Sequence, residues 1–220
     1  MSHDDFQIEP VEGLPEAPPQ GEQILWQGRP DWWALSLCAM NLKWVVGYFG
    51  VLAIWRYVAV MGVMAPGQAV GAAVPFLVLG GVVCGMLMLV AYVQARATVY
   101  TVTDARVVMR IGAALTLTLN LPYTKIGNAM LDLRKNGSGT IALDTMGDTQ
   151  LGYLVCWPHV RPWHMKQTQP ALRCIPNAQA VATLIAEAAE ARIAQPKVTR
   201  VAPQHDTPVQ SPGLAGVAAE

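Results

Sequence analysis

From Trp44 to Met64 the chain reads WVVGYFGVLAIWRYVAVMGVM, twenty-one residues with one charge, Arg56; from Ala72 to Val93 it reads AAVPFLVLGGVVCGMLMLVAYV, twenty-two residues with none. At a rise of about 1.5 Å per residue, each run is long enough for a helix to cross the roughly 30 Å of hydrocarbon in a bilayer. The connection, 65–71, holds Pro66 and Gly67 and is short enough to require antiparallel neighbours. The reading is a membrane α-helical hairpin, with spans at 44–64 and 72–94.

Flanking charge sets the expected orientation. Arg29 and Lys43 precede the first span and Arg96 and Arg106 follow the second, whereas the turn carries no charge. Basic flanks are retained on the cytoplasmic side, so both termini are expected there. Five of the seven tryptophans, Trp26, Trp32, Trp33, Trp44 and Trp55, precede or lie within the first span, and several suit the headgroup layer, where an indole keeps its N–H wet and its rings dry. A charge held in hydrocarbon costs on the order of 3 kcal/mol, so Arg56 either snorkels to the far interface or meets an acidic or carbonyl group on another membrane subunit. Gly81 and Gly85, beside Gly80, form a smooth face suited either to packing inside the hairpin, onto Gly47 and Gly50, or to association with another chain. All four histidines lie outside the spans, which excludes pigment or haem ligation by imidazole within the bilayer.

The whole chain is 53% hydrophobic and 14% charged, which excludes a mostly disordered protein. Asp4, Asp5, Glu9, Glu12, Glu16 and Glu22 precede the first base, leaving nine acids against fifteen bases beyond them. That excess, without any Lys/Arg run, makes no stripe able to displace counterions from phosphates, so nucleic acid is not an expected partner. The acidic, proline-rich opening is the reverse of a secretory leader. Residues 1–20 and the proline-rich tail 195–220 are expected to be disordered. The cysteines, Cys38, Cys84, Cys156 and Cys174, show no CxxC spacing and are expected to be free thiols.

After Arg96 the period changes. TVYTVT, RVVMRI, LTLTLNL, MLDLR, TIALD and LGYLV alternate with period two and are separated by Asp104, Gly112, the Asn136 to Gly139 run and Gly147-Asp148, which predicts consecutive antiparallel strands. In LTLTLNL the leucines 115, 117, 119 and 121 share a face, as in a half-buried sheet. Pro176 and Asn177, the latter as N-cap, introduce a helix over 178–194 whose buried stripe is Val181, Leu184, Ile185 and Ala188.

Between sheet and helix lies CWPHVRPWHMKQTQPALRCIP, Cys156 to Pro176, expected to be an irregular loop because of its four prolines. Cys156, His159, His164 and Cys174 are a conceivable zinc set, but their spacing matches no familiar site. The reading preferred is a loop whose Trp157 and Trp163 pack on the sheet or lie at a partner surface, with Arg161 and Lys166 exposed. No Gly-rich phosphate loop, GxSxG or HExxH occurs, and the aspartates of the head sit at turns, so catalysis is not expected.

GEQILWQGRP (Gly21 to Pro30) before the hairpin and VYTVTDARVVMR (Val99 to Arg110) after it resemble the two signature segments of bacterial PH-like domains associated with membrane helices. With LNLPYTKI, LGYLVCWPHVRPW and a proline-initiated last helix, the span from Gly21 to Ala194 resembles the photosynthetic complex assembly proteins of purple bacteria. The resemblance implies a hairpin in the bacterial inner (intracytoplasmic) membrane. Residues 21–43 would be a signature segment and interfacial lead-in, and 97–194 a cytoplasmic α+β domain with a PH-like antiparallel sheet or partly open barrel capped by the C-terminal helix. It also implies a non-catalytic assembly factor for the photosynthetic reaction centre and core light-harvesting (LH1) complex. Its partners would be their polypeptides and membrane lipids, with a homodimer allowed and no cofactor of its own.

The signature positions are Trp26, Gly28, Arg29, Pro30, Tyr100, Thr103 and Arg106, of which Gly28 and Thr103 are expected to shape turns. The family's contact residues do not map by motif. The partner-binding candidates therefore come from the residues themselves: Arg56, Gly81, Gly85, Trp157, His159, Arg161 and Trp163. A lipid- or stress-sensing module without a photosynthetic role is the alternative on the same architecture. Arg106, Arg110 and Lys125 are too scattered to carry over the phosphoinositide site of eukaryotic PH domains, although generic contact with anionic lipid is compatible with them.

Overall fold

The structure, a computed structural model, describes residues 11–194 apart from 12, 114, 136 and 148–150. The expected disorder of 1–10 and of 195–220 falls outside the described residues. Within the expected 1–20 segment, Gly13 and Leu14 are buried, and a Cβ at Gly13 would meet the Val99 side chain at 2.6 Å, so this part packs on the head.

A first strand, β1 (Ile24–Gly28), and a short helix, α1 (Trp32–Cys38), lead into two long helices, α2 (Leu42–Val60) and α3 (Pro66–Ala97). Asp31 starts α1 by accepting from the Trp33 N–H at 2.9 Å, satisfying one of the donors a helix start leaves free. Both long helices are apolar and long enough to cross a membrane, and only 11% of the apolar window in each is buried inside the protein. Their bounds correct the sequence reading. The break is at Met61–Ala65, and Pro66 begins α3 rather than ending anything, because at the first helical position its missing N–H costs nothing and its fixed φ is already helical. Gly67 and Gly71 are thereby absorbed into a 32-residue helix.

A close contact inside the hairpin is made by Gly80. It is buried, and a Cβ there would stand 2.7 Å from the Phe49 Cβ. Gly81 and Gly85 have nothing within 4 Å, nor have Gly47 and Gly50. Packing of the 81/85 face onto Gly47 and Gly50 is therefore corrected, since that face turns outward.

The chain then forms β2 (Val99–Thr103), β3 (Arg106–Ile111), β4 (Leu117–Pro122), β5 (Ile126–Leu133) and β6 (Gly139–Thr145), a helical turn α4 (Tyr153–Cys156), β7 (Ala171–Ile175) and α5 (Ala178–Ala194). Two antiparallel sheets result, in the orders β1-β2-β3-β4 and β5-β6-β7. They do not close into one barrel. Tyr100, Val107 and Met109 of the first sheet, Ile141, Leu143 and Leu172 of the second, and Val181, Ile185 and Ala188 of α5 share one core. Leu184 is half-buried against the same core, so the expected stripe of α5 is present.

Four local expectations differ. LGYLV is not a strand: Leu151 and Tyr153 pack on the core while Leu154 and Val155, in the α4 turn, face out. The expected loop 156–176 contains β7, all five of whose residues are buried. Leu115 lies before β4 and is 87% exposed. Asn177 has φ 50°, the left-handed region, instead of the extended conformation usual for an N-cap.

Gly80→Val should loosen the α2–α3 contact by forcing Phe49 aside, costing about 1–3 kcal/mol as overpacking does. Gly81→Val, in open space, should leave stability within about 0.5 kcal/mol. Thermal unfolding of the two variants in the same detergent checks the difference.

Candidate functional site

The two signature segments, separated in sequence by the whole hairpin, are neighbours in space. β1 pairs antiparallel with β2, Trp26 opposite Val102 and Gln27 opposite Thr101. Gln27 Nε2 donates to Thr101 Oγ1 at 3.0 Å. At the far end of the pair, Gln23 N–H donates to Asp104 Oδ1 at 3.1 Å and Asp104 N–H returns to the Gln23 carbonyl at 3.1 Å. Arg106 closes it with a two-pronged ion pair to Glu22, Nε to Oε1 at 2.8 Å and Nη2 to Oε2 at 2.9 Å. The Glu22 carboxylate side chain is only 7% exposed, so this pair is screened less than an ordinary surface pair. Arg106 is a signature position, whereas Glu22, in the acidic opening segment 84 residues away, carries no local sign of the pairing.

The other signature residues are structural in the same sense. Thr103 Oγ1 donates to the Arg106 carbonyl and accepts from the N–H groups of Ala105 and Arg106, as expected of a turn-shaping residue. Trp26, grouped above with candidate interfacial tryptophans, is instead half-buried on the core, and its indole lies over Gly28, where a Cβ would clash with it. Pro30 is buried and Arg29 half-buried between β1 and α1. Trp32 and Trp33 are exposed on α1, with Trp32 edge-on to Tyr92 of α3 and Arg96 stacked over the same Tyr92 ring.

Tyr100 leads to a buried polar junction at which four pieces of chain meet. Its hydroxyl lies 2.6 Å from His159 Nδ1 and accepts from the Arg173 N–H at 3.2 Å. His159 Nε2 is 3.0 Å from the hydroxyl of Thr98, the residue that ends α3. With the phenol donating to Nδ1, the imidazole carries its proton on Nε2 and gives it to Thr98, which pairs the phenol and both ring nitrogens. Arg173 fans out from β7, donating through Nη1 to the carbonyls of Pro158 (3.3 Å) and Val160 (3.4 Å) and through Nη2 to that of Cys38 at the end of α1 (3.2 Å). Asp31 N–H donates to the Cys174 carbonyl at 2.9 Å, tying the start of α1 to the same strand. Burial, then the neighbouring Arg173 charge, push the His159 pKa down to about 3. Burial likewise raises the Tyr100 phenol, so that it stays a donor.

The partner candidates therefore separate. His159 is fully buried and is corrected from a surface contact to a core residue. Arg161 is half-buried, its Nη1 donating to Gln169 Oε1 at 3.0 Å, instead of exposed. Trp163 is 87% exposed and Trp157 39% exposed. Arg56 is exposed on α2 one turn before Val60, where the helix ends, which suits the snorkelling alternative. Cys156, His159, His164 and Cys174 are not gathered: among the described residues no three His, Cys, Asp or Glu side chains converge as metal ligands would.

Fold and junction define a PH-type head that is entered and left through a helical hairpin inserted after its first strand. Residues 35–189 match the model of the bacterial PH domain family, and the chain belongs to that family. It is also 46% identical over 200 residues, 90% of this chain and 94% of the other, to an uncharacterized 23.7 kDa protein in the puhA 5′ region of Rhodobacter capsulatus. No solved structure matches it.

Neutral His159 gives the fold a pH dependence of definite sign. Its folded pKa, about 3, lies below the value near 6.5 of an exposed imidazole. The unfolded chain therefore binds the extra proton first, and stability falls as pH drops from about 6.5 toward 3, by at most about 1.4 kcal/mol per unit. Replacement by Gln, which cannot take the proton, should flatten that limb of a stability-against-pH curve measured by thermal unfolding.

Proposed function

We propose that the protein is a non-catalytic membrane assembly factor of the PuhB type for the photosynthetic reaction centre and its core light-harvesting complex. In this reading it is embedded in the bacterial inner membrane by α2 and α3, with the PH-type head and both termini in the cytoplasm. The observation that carries the photosynthetic part is the near full-length relative lying beside puhA, a photosynthesis gene. The membrane part is supported by two apolar helices whose side chains are mostly unburied by the protein itself, and the orientation by basic residues flanking the hairpin on one side only.

The chemistry of the head suits holding better than turnover. His159, Tyr100 and Arg173 are committed to one another and to backbone carbonyls in the interior. What the head offers outward is Trp157, Trp163 and the α4 turn, while the hairpin offers the open Gly81 and Gly85 face and Arg56. These are the surfaces assigned to reaction-centre and antenna polypeptides, the glycine face also to a second copy.

Two measurements test this. Protease added to sealed right-side-out vesicles should leave the head intact and digest it after permeabilisation; trimming without permeabilisation refutes the orientation. Affinity capture of tagged protein from photosynthetically grown membranes should recover reaction-centre or LH1 polypeptides, and deletion should lower those complexes selectively. A general envelope defect with both complexes intact favours the lipid- or stress-sensing alternative.

A further inference from the structure

A cavity of about 430 Å³ opens beside β5, β6 and the segment 161–164. Three arginines line it, Arg134, Arg161 and Arg173, together with Trp163, His164 and a single carboxylate, Asp132. None of the three guanidiniums forms a salt bridge among the described residues. Arg134 donates to Cys174 Sγ at 3.6 Å, and Arg161 to Gln169 and, at 3.1 Å, to Met130 Sδ, so what they have found is neutral sulfur and amide.

Arg173 is the telling member. It is 6% exposed, its Nη atoms are spent on three carbonyls, and its Nε is buried with no acceptor. A buried cation facing only neutral oxygen is costly unless an anion completes the site. Guanidinium groups present fixed N–H pairs that match phosphate oxygens, and three around one cavity of this size fit a headgroup rather than a lone small ion.

Position selects the source. Arg173 holds the Cys38 carbonyl, four residues before α2 begins, so the cavity belongs to the end of the head that meets the hairpin. Trp32 and Trp33 on α1 and Trp163 at the cavity are exposed there, the residues that settle at headgroup depth.

We propose that this cavity binds the headgroup phosphate of an anionic membrane phospholipid, with Arg134 and Arg161 gripping it and the buried Arg173 charge attracting it from behind. The lipid docks the head against the bilayer and supplies the charge that the junction lacks. This rests on the hairpin lying in a bilayer, which the protease experiment tests independently; a chain that spans correctly but takes no lipid here sinks only this inference.

The test uses the full chain, stripped of lipid in mild detergent, with phosphatidylglycerol or phosphatidylcholine added back and retention read by native mass spectrometry. Arg173 variants are unsuitable because the residue also stitches the fold together, so the variant is Arg134→Gln with Arg161→Gln, checked for an unchanged unfolding temperature. Lys166→Gln, in the same loop but off the cavity, is the control. The wild type and K166Q should retain phosphatidylglycerol over phosphatidylcholine, and the double variant should lose at least roughly tenfold of that retention, as removal of charge-assisted hydrogen bonds predicts. Equal retention of the two lipids, or undiminished retention by a folded double variant, overturns the proposal. So does binding of inorganic phosphate in calorimetry without any preference between lipids, which makes a soluble anion the ligand. A double variant that keeps its lipid yet no longer captures photosynthetic polypeptides also overturns it, making the cavity a protein contact.

Discussion

Strand β1 cannot pair with β2 unless everything between them, residues 29 to 98, leaves the head and comes back to the same edge. That single constraint organises the molecule. A chain that departs through one apolar helix must return through another, and an even number of long helices follows from a sheet register rather than from the helices themselves. The Glu22–Arg106 pair and the Gln23–Asp104 exchange lock the closing end of this ladder, which is where a strand held by five residues would otherwise fray. The cost of closing so long an excursion grows only slowly with its length, and the helical hairpin, already antiparallel through the Gly80–Phe49 contact, brings its two ends together in advance.

What couples the hairpin to the head is polar rather than apolar. The apolar contact beneath α1 is small, made by Ala34, Leu35, Ala39, Ala95 and Cys174. Beside it, Arg173 binds the carbonyl that ends α1, while Thr98, ending α3, binds His159, and both lead to Tyr100. Each of these groups has direction, so a shift of either helix end relative to the head leaves a buried donor or acceptor without its partner. A buried network of directional bonds of this sort fixes one arrangement of its parts more sharply than side-chain packing alone. A head whose position follows the positions of the helices is what a protein needs if it is to report on, or hold, what lies beside those helices.

The sequence discloses these features unevenly, and for physical reasons. The apolar stretches, the strands with one wet face and the stripe of α5 are written in periodicity, and such elements are found there, with the bounds of the long helices moved by several residues. β7 left no such trace: in ALRCI apolar residues fall on both faces, so the strand has no alternation, and Arg173 in its middle reads as a surface residue until the carbonyls around it are seen. LGYLV alternates convincingly, yet its Tyr153 reaches the core from a helical turn and its Leu151 from the segment just before it. His159, flanked by prolines and arginine, resembles a loop residue because the groups that bury it come from 59 and 61 positions away. Partnerships across such separations, like that of Glu22 with Arg106, leave no local signal.

The unequal lengths of the two helices fix where this junction stands. α2, at 19 residues, is roughly 28 Å long and α3, at 32, roughly 48 Å. They are joined at one end by only Met61–Ala65, so their starting levels are nearly matched and the surplus of α3 must emerge at the other end, toward the head. That surplus is where Tyr92 meets Trp32, where Arg96 stacks on Tyr92, and where Ala95 packs under α1. α1 is therefore a layer laid against the emerging part of α3, just beyond the apolar length that α2 defines. In a bilayer matched to α2, this layer occupies the headgroup zone, and β7 with Arg173 lies directly behind it. If α2 spans a bilayer, the same inequality seats the tryptophans of α1 at its interface and brings three arginines that form no salt bridge among the described residues to the depth at which a membrane presents phosphate.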